Sequence, residues 1–372
     1  MKSPKNKSKT PKNKSKSPKN KSKTSKNKSK SPKKTIKNNQ KGKGNESDQW
    51  IGFNIHGYKL EKLIGQGQFG SVYIAKNIQQ SNSNEMYIVK IIKRQYYNDN
   101  ETKILKEVSE KCYGGKASFI NHYKYSDEYD NMYDFIISKY LENSIDLFDY
   151  INLIYSNNHI EDPKIFVYNN LVIIKHLLLQ LKCLHQNSII HLDIKPENIL
   201  IQLNEKKIVT YATFIDFGLS CNTDIYTYNK ANDKNVKCKS SGTLEYMAPE
   251  ILNIFKKNDI KGPNCIYSSP LSLSEYKKTD IWSLGITFYL LITNKLPHES
   301  LYHSKYTERS DIIFDFYKNI DKSVLNVSSV IRSLDTRDKY YNMYKEYYDY
   351  VNELLQNMLK YNPCERKNAE EL

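Results

Sequence analysis

Alternating apolar and polar residues predict two β-strands joined by a turn between residues 58 and 77. The turn contains Gly65, Gly67 and Gly70. Glycines at such a turn allow backbone amides to approach a phosphate group closely. The stretch SVYIAK, which follows the last glycine, is rich in β-branched and aromatic residues and therefore favours a strand. A dinucleotide-binding fold requires a helix after its glycine-rich turn, so this pattern argues against that fold.

The stretch MYIVKIIK, residues 86–93, alternates again and predicts a third strand that carries Lys90. A helix is predicted immediately afterwards, because apolar residues recur there at helical spacing. This apolar stripe consists of Ile104, Leu105, Val108 and Cys112. Glu107 lies beside the stripe, and we expect it to pair with Lys90 across a nucleotide-binding site. Glu101, about one and a half turns earlier, is the alternative partner.

The first 44 residues contain 18 lysines and no acidic residue. Since the whole chain carries a formal charge of +16, the other residues together carry −2. A seven-residue repeat, first seen as SPKNKSK, runs through this lysine-rich segment without an apolar seam. Like charges repel one another, so residues 1–50 are predicted to form a disordered tail. Residues 1–44 could bind nucleic acid or another polyanion, could act as a nuclear address, and could equally be a solubilising extension.

The cysteines and the hydropathy pattern bear on the compartment. Six scattered cysteines without a Cys-x-x-Cys pair favour a reducing compartment over a disulfide framework. No apolar run approaches the roughly 18 residues of a transmembrane helix, and the N-terminus lacks the apolar centre of a signal peptide. We therefore predict a soluble intracellular protein without a membrane partner, and the choice between cytoplasm and nucleus stays open.

Six short motifs follow one another along the rest of the chain. They are GQGQFGSV at 65–72, YIVK at 87–90, HLDIKPEN at 191–198, DFG at 216–218, APE at 248–250 and DIWSLG at 280–285. In this order they resemble the motifs of the eukaryotic protein kinase family, from about Tyr58 to the end of the chain. The resemblance implies an α+β fold with two lobes, a small antiparallel-sheet lobe with one main helix and a larger helical lobe. It places the kinase domain at 51–372, with the small lobe at 51–138 and the hinge and large lobe at 139–372.

The resemblance also implies an ATP-binding site. Lys90 would hold the α- and β-phosphates of ATP, and Glu107 would keep Lys90 in place. The other ATP-binding residues would be Ile64, Gly65, Gly67, Gly70 and Val72, and the hinge residues would be Ser138, Lys139 and Leu141. Ser138 stands where a side chain gates a pocket behind the adenine. Ile88 stands where a small alanine is usual, which would narrow the adenine pocket.

Phosphoryl transfer depends on alignment and charge neutralisation more than on covalent help from the protein. The family pattern assigns Mg²⁺ binding to Asp216 and Asn198. It assigns to Asp193 the role of accepting or orienting the proton of the substrate hydroxyl. Lys195 would steady the γ-phosphate. ATP and Mg²⁺ are thus the expected cofactors.

Two segments are similar to serine/threonine kinases and differ from tyrosine kinases. They are KPEN, which begins at Lys195, and GTLEYMAPE, which contains Thr243. Three further residues correspond to structural positions of the family. Asp280 would brace the catalytic loop, and Arg366 would pair with Glu250.

Leu192 departs from the family pattern, because most members carry an arginine at this position. That arginine binds a phosphate on the activation segment, here residues 216–250. Leucine has no hydrogen-bond donor, so we expect catalysis to survive while this mode of switching is lost. A second departure is the stretch 261–276, which is predicted to be an inserted loop near the peptide-binding face.

The function that these patterns favour is a serine/threonine protein kinase acting on proteins. Basic Ser/Thr-containing segments, including the chain's own N-terminal tail, are the candidate substrates. A pseudokinase scaffold is one alternative, but it would require the loss of a catalytic residue, and none is lost. The other alternative is a nucleic-acid-associated protein tethered by its basic tail, for which the kinase domain is secondary.

Overall fold

A computed structural model of the chain describes most residues after position 47. The described residues are 48–67, 70–79, 85–112, 116–156, 162–222, 238, 242–256, 271–299, 309–318 and 342–372. The chain divides into two units, Met1–Gly44 and Asn45–Leu372. The predicted disordered tail lies outside the described residues up to position 47, and every described helix and strand belongs to the second unit.

Six antiparallel strands form the sheet of the small lobe in the order β1-β2-β3-β4-β6-β5. Their bounds are β1 Asn54–Ile55, β2 Tyr58–Gln66, β3 Gly70–Asn77, β4 Met86–Lys93, β5 Phe119–Ser126 and β6 Met132–Lys139. The alternation seen in the sequence turns one face inward, where Leu60, Tyr73 and Val89 pack with Phe135. Lys90, next to Val89, therefore faces the other side of the sheet.

Trp50 packs its buried ring among the aromatic side chains of this sheet. Its ring centroid lies 5.1 Å from that of Phe53, 5.8 Å from Tyr125, 5.0 Å from Tyr133 and 5.3 Å from Phe135, each in an edge-to-face arrangement. Trp50 is only 8% exposed. Although the predicted tail, residues 1–50, included Trp50, its ring packs in the folded domain.

The large lobe is mainly helical. The α-helices described in the chain are α1 Asp99–Lys111, α2 Leu147–Tyr155, α3 Pro163–Gln186, α4 Pro249–Lys256, α5 Leu273–Thr293, α6 Arg309–Lys318 and α7 Lys345–Met358. Helix α5 has buried residues on all sides, including Trp282 and Phe288, as expected of a helix at the centre of a core. Helix α3 contributes Leu177 and Leu181 to the same core.

The start of α5 lies within the stretch that was predicted to be an inserted loop. Ser272 caps the helix, because its hydroxyl accepts from the Glu275 amide at 3.3 Å while the Glu275 carboxylate accepts from the Ser272 amide at 2.7 Å. The insertion therefore ends before this capping box, and residues 261–270 lie outside the described part of the chain.

Two small sheets position the segments that contain the HLDIKPEN and DFG motifs. Strands β7 Ser144–Asp146, β9 Ile199–Leu203 and β10 Val209–Phe214 form one sheet, in the order β10-β9-β7, and β8 Ile189–Ile190 pairs with β11 Cys221–Asn222. The HLDIKPEN motif lies between β8 and β9, and the DFG motif lies between β10 and β11. Together with the two lobes, this arrangement confirms the α+β fold. None of the helices in the described part of the chain is long and apolar enough to span a membrane.

The cysteines in the described part of the chain are disulfide-bonded, so the expectation that they form no disulfide framework was wrong. Cys112 is bonded to Cys183 and Cys221 to Cys238. Cys364 is disulfide-bonded too, and no described cysteine is free. The pairs are separated by 71 and 17 residues along the chain, and folding brings them together. A search for short cysteine spacings could not reveal such pairs.

We predict that Trp50→Ala lowers the free energy of unfolding by about 3 kcal/mol or more, because it removes a buried indole and leaves a cavity beside four rings. Urea denaturation followed by intrinsic fluorescence and circular dichroism would measure the loss. Tyr129→Ala is the matched control, since Tyr129 is 78% exposed. Equal stability of the two variants would show that the segment around Trp50 is not part of the folded domain.

Candidate active site

Lys90 of β4 lies between two carboxylates from different parts of the chain. Its Nζ donates to Glu101 Oε1 at 2.7 Å and to Asp216 Oδ1 at 2.8 Å. Glu101 comes from the first turn of α1 and is only 3% exposed, whereas Asp216 follows β10. One ammonium group therefore connects a strand, a helix and the DFG motif.

The charges of this cluster stabilise one another. Burial acts to lower the pKa of Lys90, but the carboxylates of Asp216 and Glu101 raise it above its usual value. Burial acts to raise the pKa of Asp216, but the Lys90 ammonium outweighs that effect, and the pKa of Asp216 is lowered. Lys90 and Asp216 are therefore both charged at neutral pH.

The pairing expected between Lys90 and Glu107 was wrong, and the alternative partner Glu101 occupies the position. Glu101 lies three residues before Ile104 and seven before Val108, so the three share one helical face. Ile104 and Val108 are fully buried on that face. Glu107 projects from a different side of the helix. The carboxylate that pairs with Lys90 therefore comes from Glu101, in the first turn of α1.

Glu107 has other partners. Its Oε1 accepts from Lys111 Nζ at 2.6 Å, one turn along the same helix. Its Oε2 accepts from Asn222 Nδ2 at 2.8 Å. Glu107 therefore attaches α1 to β11, which the sequence patterns did not suggest.

The glycine-rich turn connects β2 to β3 as predicted, and its glycines are not equivalent. A Cβ atom on Gly70 would lie 2.2 Å from the carbonyl oxygen of Ile91, so only glycine fits there. Gly65 and Gly67 have room for a Cβ within the protein itself. The packing of the sheet therefore requires Gly70, whereas no contact among the described residues requires glycine at positions 65 and 67.

The catalytic loop surrounds Asp193 with donors. Asn198 Nδ2 donates to Asp193 Oδ2 at 2.9 Å, and Lys195 Nζ lies 3.0 Å from the same oxygen. Thr243 Oγ1 donates to Asp193 Oδ1 at 2.8 Å and accepts from Lys195 Nζ at 2.8 Å. Both carboxylate oxygens are thereby held in one orientation.

Asp280 holds the backbone of the same loop. Its Oδ2 accepts from the His191 amide at 2.8 Å, and its Oδ1 accepts from the Leu192 amide at 2.9 Å. Leu192 has a φ of 65°, a left-handed conformation that costs a non-glycine residue about 1–3 kcal/mol. His185 Nε2 lies 3.0 Å from Asp280 Oδ2 and adds a third contact, which no motif of the sequence indicates. The position predicted to brace the loop thus contacts it directly.

The residues expected to bind Mg²⁺ lie at the same end of the β9–β10 hairpin. Phe214 pairs with Ile199, and the Ile215 amide donates to the Asn198 carbonyl at 2.9 Å. Asp216 offers carboxylate oxygens, and Asn198 keeps an amide oxygen because it contacts Asp193 through its nitrogen. These are hard oxygen donors of the kind that Mg²⁺ prefers. Mg²⁺ usually binds through one or two carboxylates plus water and phosphate oxygens, which would complete the shell here.

Residues 58–372 match the family model of the protein kinase domain. The chain belongs to the protein kinase family. Among the curated relatives similar to this kinase is the serine/threonine-protein kinase CG17528 of Drosophila melanogaster, 29% identical over 248 residues, or 64% of this chain and 26% of the relative. The serine/threonine-protein kinase ksp1 of Schizosaccharomyces pombe is 28% identical over 284 residues, 73% of this chain and 52% of the relative.

Calcium-dependent protein kinase 4 of Plasmodium berghei is 26% identical over 296 residues, 76% of this chain and 48% of the relative. The matched part of this kinase thus spans between 26% and 52% of the length of these relatives.

The register of the sheet locates the residues that were predicted to form the hinge. Ser138 and Lys139 end β6, and Leu141, two residues later, is buried. Ser138 pairs with Ile88 of β4, so the two residues expected at the adenine pocket are neighbours. Their roles in ATP binding stay predictions, as do those of Ile64 and Val72.

Arg366 and Glu250 form a fully buried ion pair in the kinase. The two guanidinium nitrogens lie 2.6 and 2.8 Å from the two carboxylate oxygens, a bidentate arrangement. The guanidinium also lies 4.7 Å from the ring centroid of Trp282. The pairing expected of these residues is present, and it fixes the start of α4 against the core.

We predict that Glu101→Gln lowers kcat/KM of the kinase about 10- to 100-fold, because it removes the buried negative charge that pairs with the Lys90 ammonium and leaves only a neutral amide oxygen to accept from it. Glu107→Gln is the matched control on the same helix and should change kcat/KM by less than about threefold, since a glutamine still accepts from Asn222. Steady-state kinetics with varied ATP would compare them. The reverse order of severity would restore Glu107 as the partner of Lys90.

Proposed function

We propose that this chain is an ATP-dependent serine/threonine protein kinase, which transfers the γ-phosphate of ATP to Ser and Thr hydroxyls of proteins. The observation that carries the proposal is the fixed Asp193 carboxylate, held between Asn198, Lys195 and Thr243. A carboxylate in one orientation beside a cation is suited to align a hydroxyl with a phosphoryl group.

Each charged residue has a distinct part in this mechanism. Lys90 binds phosphate oxygens of the nucleotide in the position set by Glu101 and Asp216. Asp193 accepts or orients the proton of the attacking hydroxyl. Lys195 stabilises negative charge on the phosphoryl group during transfer. Mg²⁺ held by Asp216 and Asn198 would supply further neutralisation of the phosphate charge.

Specificity for serine and threonine is supported by two features. The fly and fission-yeast relatives are both named serine/threonine-protein kinases. Lys195, part of the KPEN stretch that is similar to serine/threonine kinases, contacts Thr243 and Asp193 at once. A pseudokinase scaffold has no comparable support, because the catalytic residues are present and in mutual contact. Binding of nucleic acid or another polyanion through residues 1–44 stays a prediction.

Basic segments are the substrates that fit the surface charge around the catalytic loop. Glu142 and Glu197 are both exposed, and family members that prefer basic residues carry acids at such positions. The N-terminal tail offers Ser8, Ser15 and Ser22 among its lysines.

Asp193→Ala should lower turnover by about two to four orders of magnitude, the usual effect of losing a positioned acid/base. Transfer of radiolabelled phosphate to paired Ser, Thr and Tyr peptides would measure both rate and specificity. Asp349→Ala, which changes an exposed acid on α7, is the control. More than half of the wild-type activity in Asp193→Ala would remove this residue from the mechanism, and preference for the Tyr peptide would overturn the proposed specificity.

Removal of phosphate from the activation segment should change the activity by less than about threefold. The reason is Leu192, which offers no donor and therefore makes no charge-assisted pair that dephosphorylation could break. The measurement compares the kinase before and after phosphatase treatment, with intact-mass analysis to confirm dephosphorylation. A loss of activity that rephosphorylation restores would show that another cation binds the phosphate.

The kinase should phosphorylate serines of its own tail. Each phosphate adds a charge of nearly −2, so four or five of them would cancel about half of the positive charge on residues 1–44. Incubation with Mg²⁺-ATP followed by mass-spectrometric site mapping would detect the modification. Asp193→Ala is the control for contaminating kinases. An unmodified tail in the active wild type would exclude autophosphorylation.

A further inference from the structure

The disulfide between Cys221 and Cys238 lies in the activation segment and takes no part in the mechanism above. The two Cα atoms are 5.7 Å apart, and the cysteines are separated by 17 residues. Both side chains are buried, with exposures of 4% and 8%. The disulfide therefore joins the first part of the activation segment covalently to its second half.

The Cys221 end is attached to the catalytic loop and to α1. Cys221 pairs with Ile190 of β8, which directly precedes His191 of the catalytic loop. The next residue, Asn222, donates to Glu107 of α1 at 2.8 Å. A displacement of Cys221 would therefore disturb both the catalytic loop and α1.

The Cys238 end is attached to the large lobe and leads to the catalytic carboxylate. Its carbonyl accepts from the hydroxyl of Tyr276 on α5 at 3.0 Å, and Tyr276 is only 2% exposed. Thr243 follows five residues later and donates to Asp193 at 2.8 Å. The position of Cys238 therefore restrains the residue that orients Asp193.

The place of the family's phosphate-binding arginine is apolar in this kinase. Leu192 is 7% exposed and lies in the same buried cluster as Cys238 and Tyr246. A leucine at this place cannot bind a phosphate on the activation segment. Within the described residues, the Cys221–Cys238 bond is the covalent restraint on this segment.

We propose that Cys221 and Cys238 form a reversible oxidation site, and that their disulfide holds the activation segment in its catalytic arrangement. The covalent bond thus takes the part that an arginine–phosphate pair plays in most family members. The inference rests on the proposed kinase function for its activity readout. Its structural consequence can be measured without that activity.

The chemistry is thiol–disulfide exchange. A dithiol reductant gives two electrons and two protons to the Cys221–Cys238 bond, which yields two protein thiols and the cyclic disulfide of the reductant. Oxidised glutathione reverses the step: one protein thiolate attacks it and releases a first glutathione, and the second protein thiolate then closes the bond and releases another.

Reduction loosens the segment because a loop of this length regains conformational freedom. Cys238 then keeps its hydrogen bond to Tyr276 but loses its link to β11. Thr243, five residues on, is held less firmly, and the Asp193 carboxylate loses part of its orientation. Reduction therefore lowers kcat more than it raises KM for ATP, since Lys90 and its partners lie on other elements.

The experiment compares the full chain after oxidised glutathione with the same protein after dithiothreitol. Non-reducing peptide mapping establishes whether the Cys221–Cys238 bond is present and when its reduction is complete. Reduction should lower kcat on a serine peptide about tenfold or more, and reoxidation should restore it. Cys221→Ser/Cys238→Ser should have the reduced activity under both conditions. Cys112→Ser/Cys183→Ser is the matched control, and it should respond to reduction as the wild type does.

Hydrogen exchange supplies the readout that does not need catalysis. Reduction should speed exchange of the amides in β8, β11 and residues 242–247 of the wild type but not of Cys221→Ser/Cys238→Ser. Absence of the bond under oxidising conditions, or unchanged exchange on its reduction, would overturn the proposal. An equal loss of activity in wild type and Cys221→Ser/Cys238→Ser would assign the redox effect to another disulfide and also overturn it. If neither state transfers phosphate, the kinase function fails, and mapping and exchange still decide about the oxidation site.

Discussion

The site depends on one charge, the ammonium of Lys90. An isolated ammonium at this depth would be strongly unfavourable, because it would lose its hydration without compensation. Glu101 and Asp216 supply the compensation from two elements that are distant in sequence. The small-lobe sheet, α1 and the DFG motif are therefore coupled electrostatically. Movement of α1 that withdraws Glu101 would leave Lys90 with one partner and would disturb the position of the nucleotide phosphates.

Backbone conformation imposes a second constraint. Leu192 and Asp216 both have left-handed φ angles, 65° and 63°, although neither is a glycine. The Asp280 carboxylate accepts hydrogen bonds from the amides of His191 and Leu192. The Asp216 carboxylate accepts from the Gly218 amide at 3.3 Å. Unfavourable conformations thus occur where the catalytic groups must converge, and side chains from neighbouring elements keep them in place.

The sequence predicted those features that arise from local patterns. Alternation located the strands around the glycine-rich turn, and contiguous motifs located Asp193, Asn198 and Asp216. The choice between Glu101 and Glu107 depended on the rotation of α1 about its axis, which tertiary packing decides. The apolar stripe was predicted correctly at Ile104 and Val108, but the carboxylate that pairs with Lys90 was assigned to Glu107 instead of Glu101.

Contacts between distant segments could not be read from spacing in the same way. Cys112 and Cys183 are separated by 71 residues, and His185 reaches Asp280 from another helix. Trp50 fell at the end of the predicted tail, although its ring packs in the small lobe. In each case the partner is chosen by the three-dimensional arrangement of whole elements, for which a single sequence contains no short-range pattern.

The buried pair of Arg366 and Glu250 limits the substitutions and truncations that this fold can tolerate. Arg366 donates to the Glu250 carboxylate and also to the carbonyls of Lys360, Lys278 and Tyr361. Lysine has the same charge but lacks the planar guanidinium and its fixed donors. Replacement of Arg366 by lysine is therefore not a conservative substitution. A chain that ended before this arginine would leave the Glu250 carboxylate unpaired in the core, at a cost of about 3–5 kcal/mol. Arg366 thus contributes to the stability of the large lobe, although it lies far along the chain from Asp193 and Asp216.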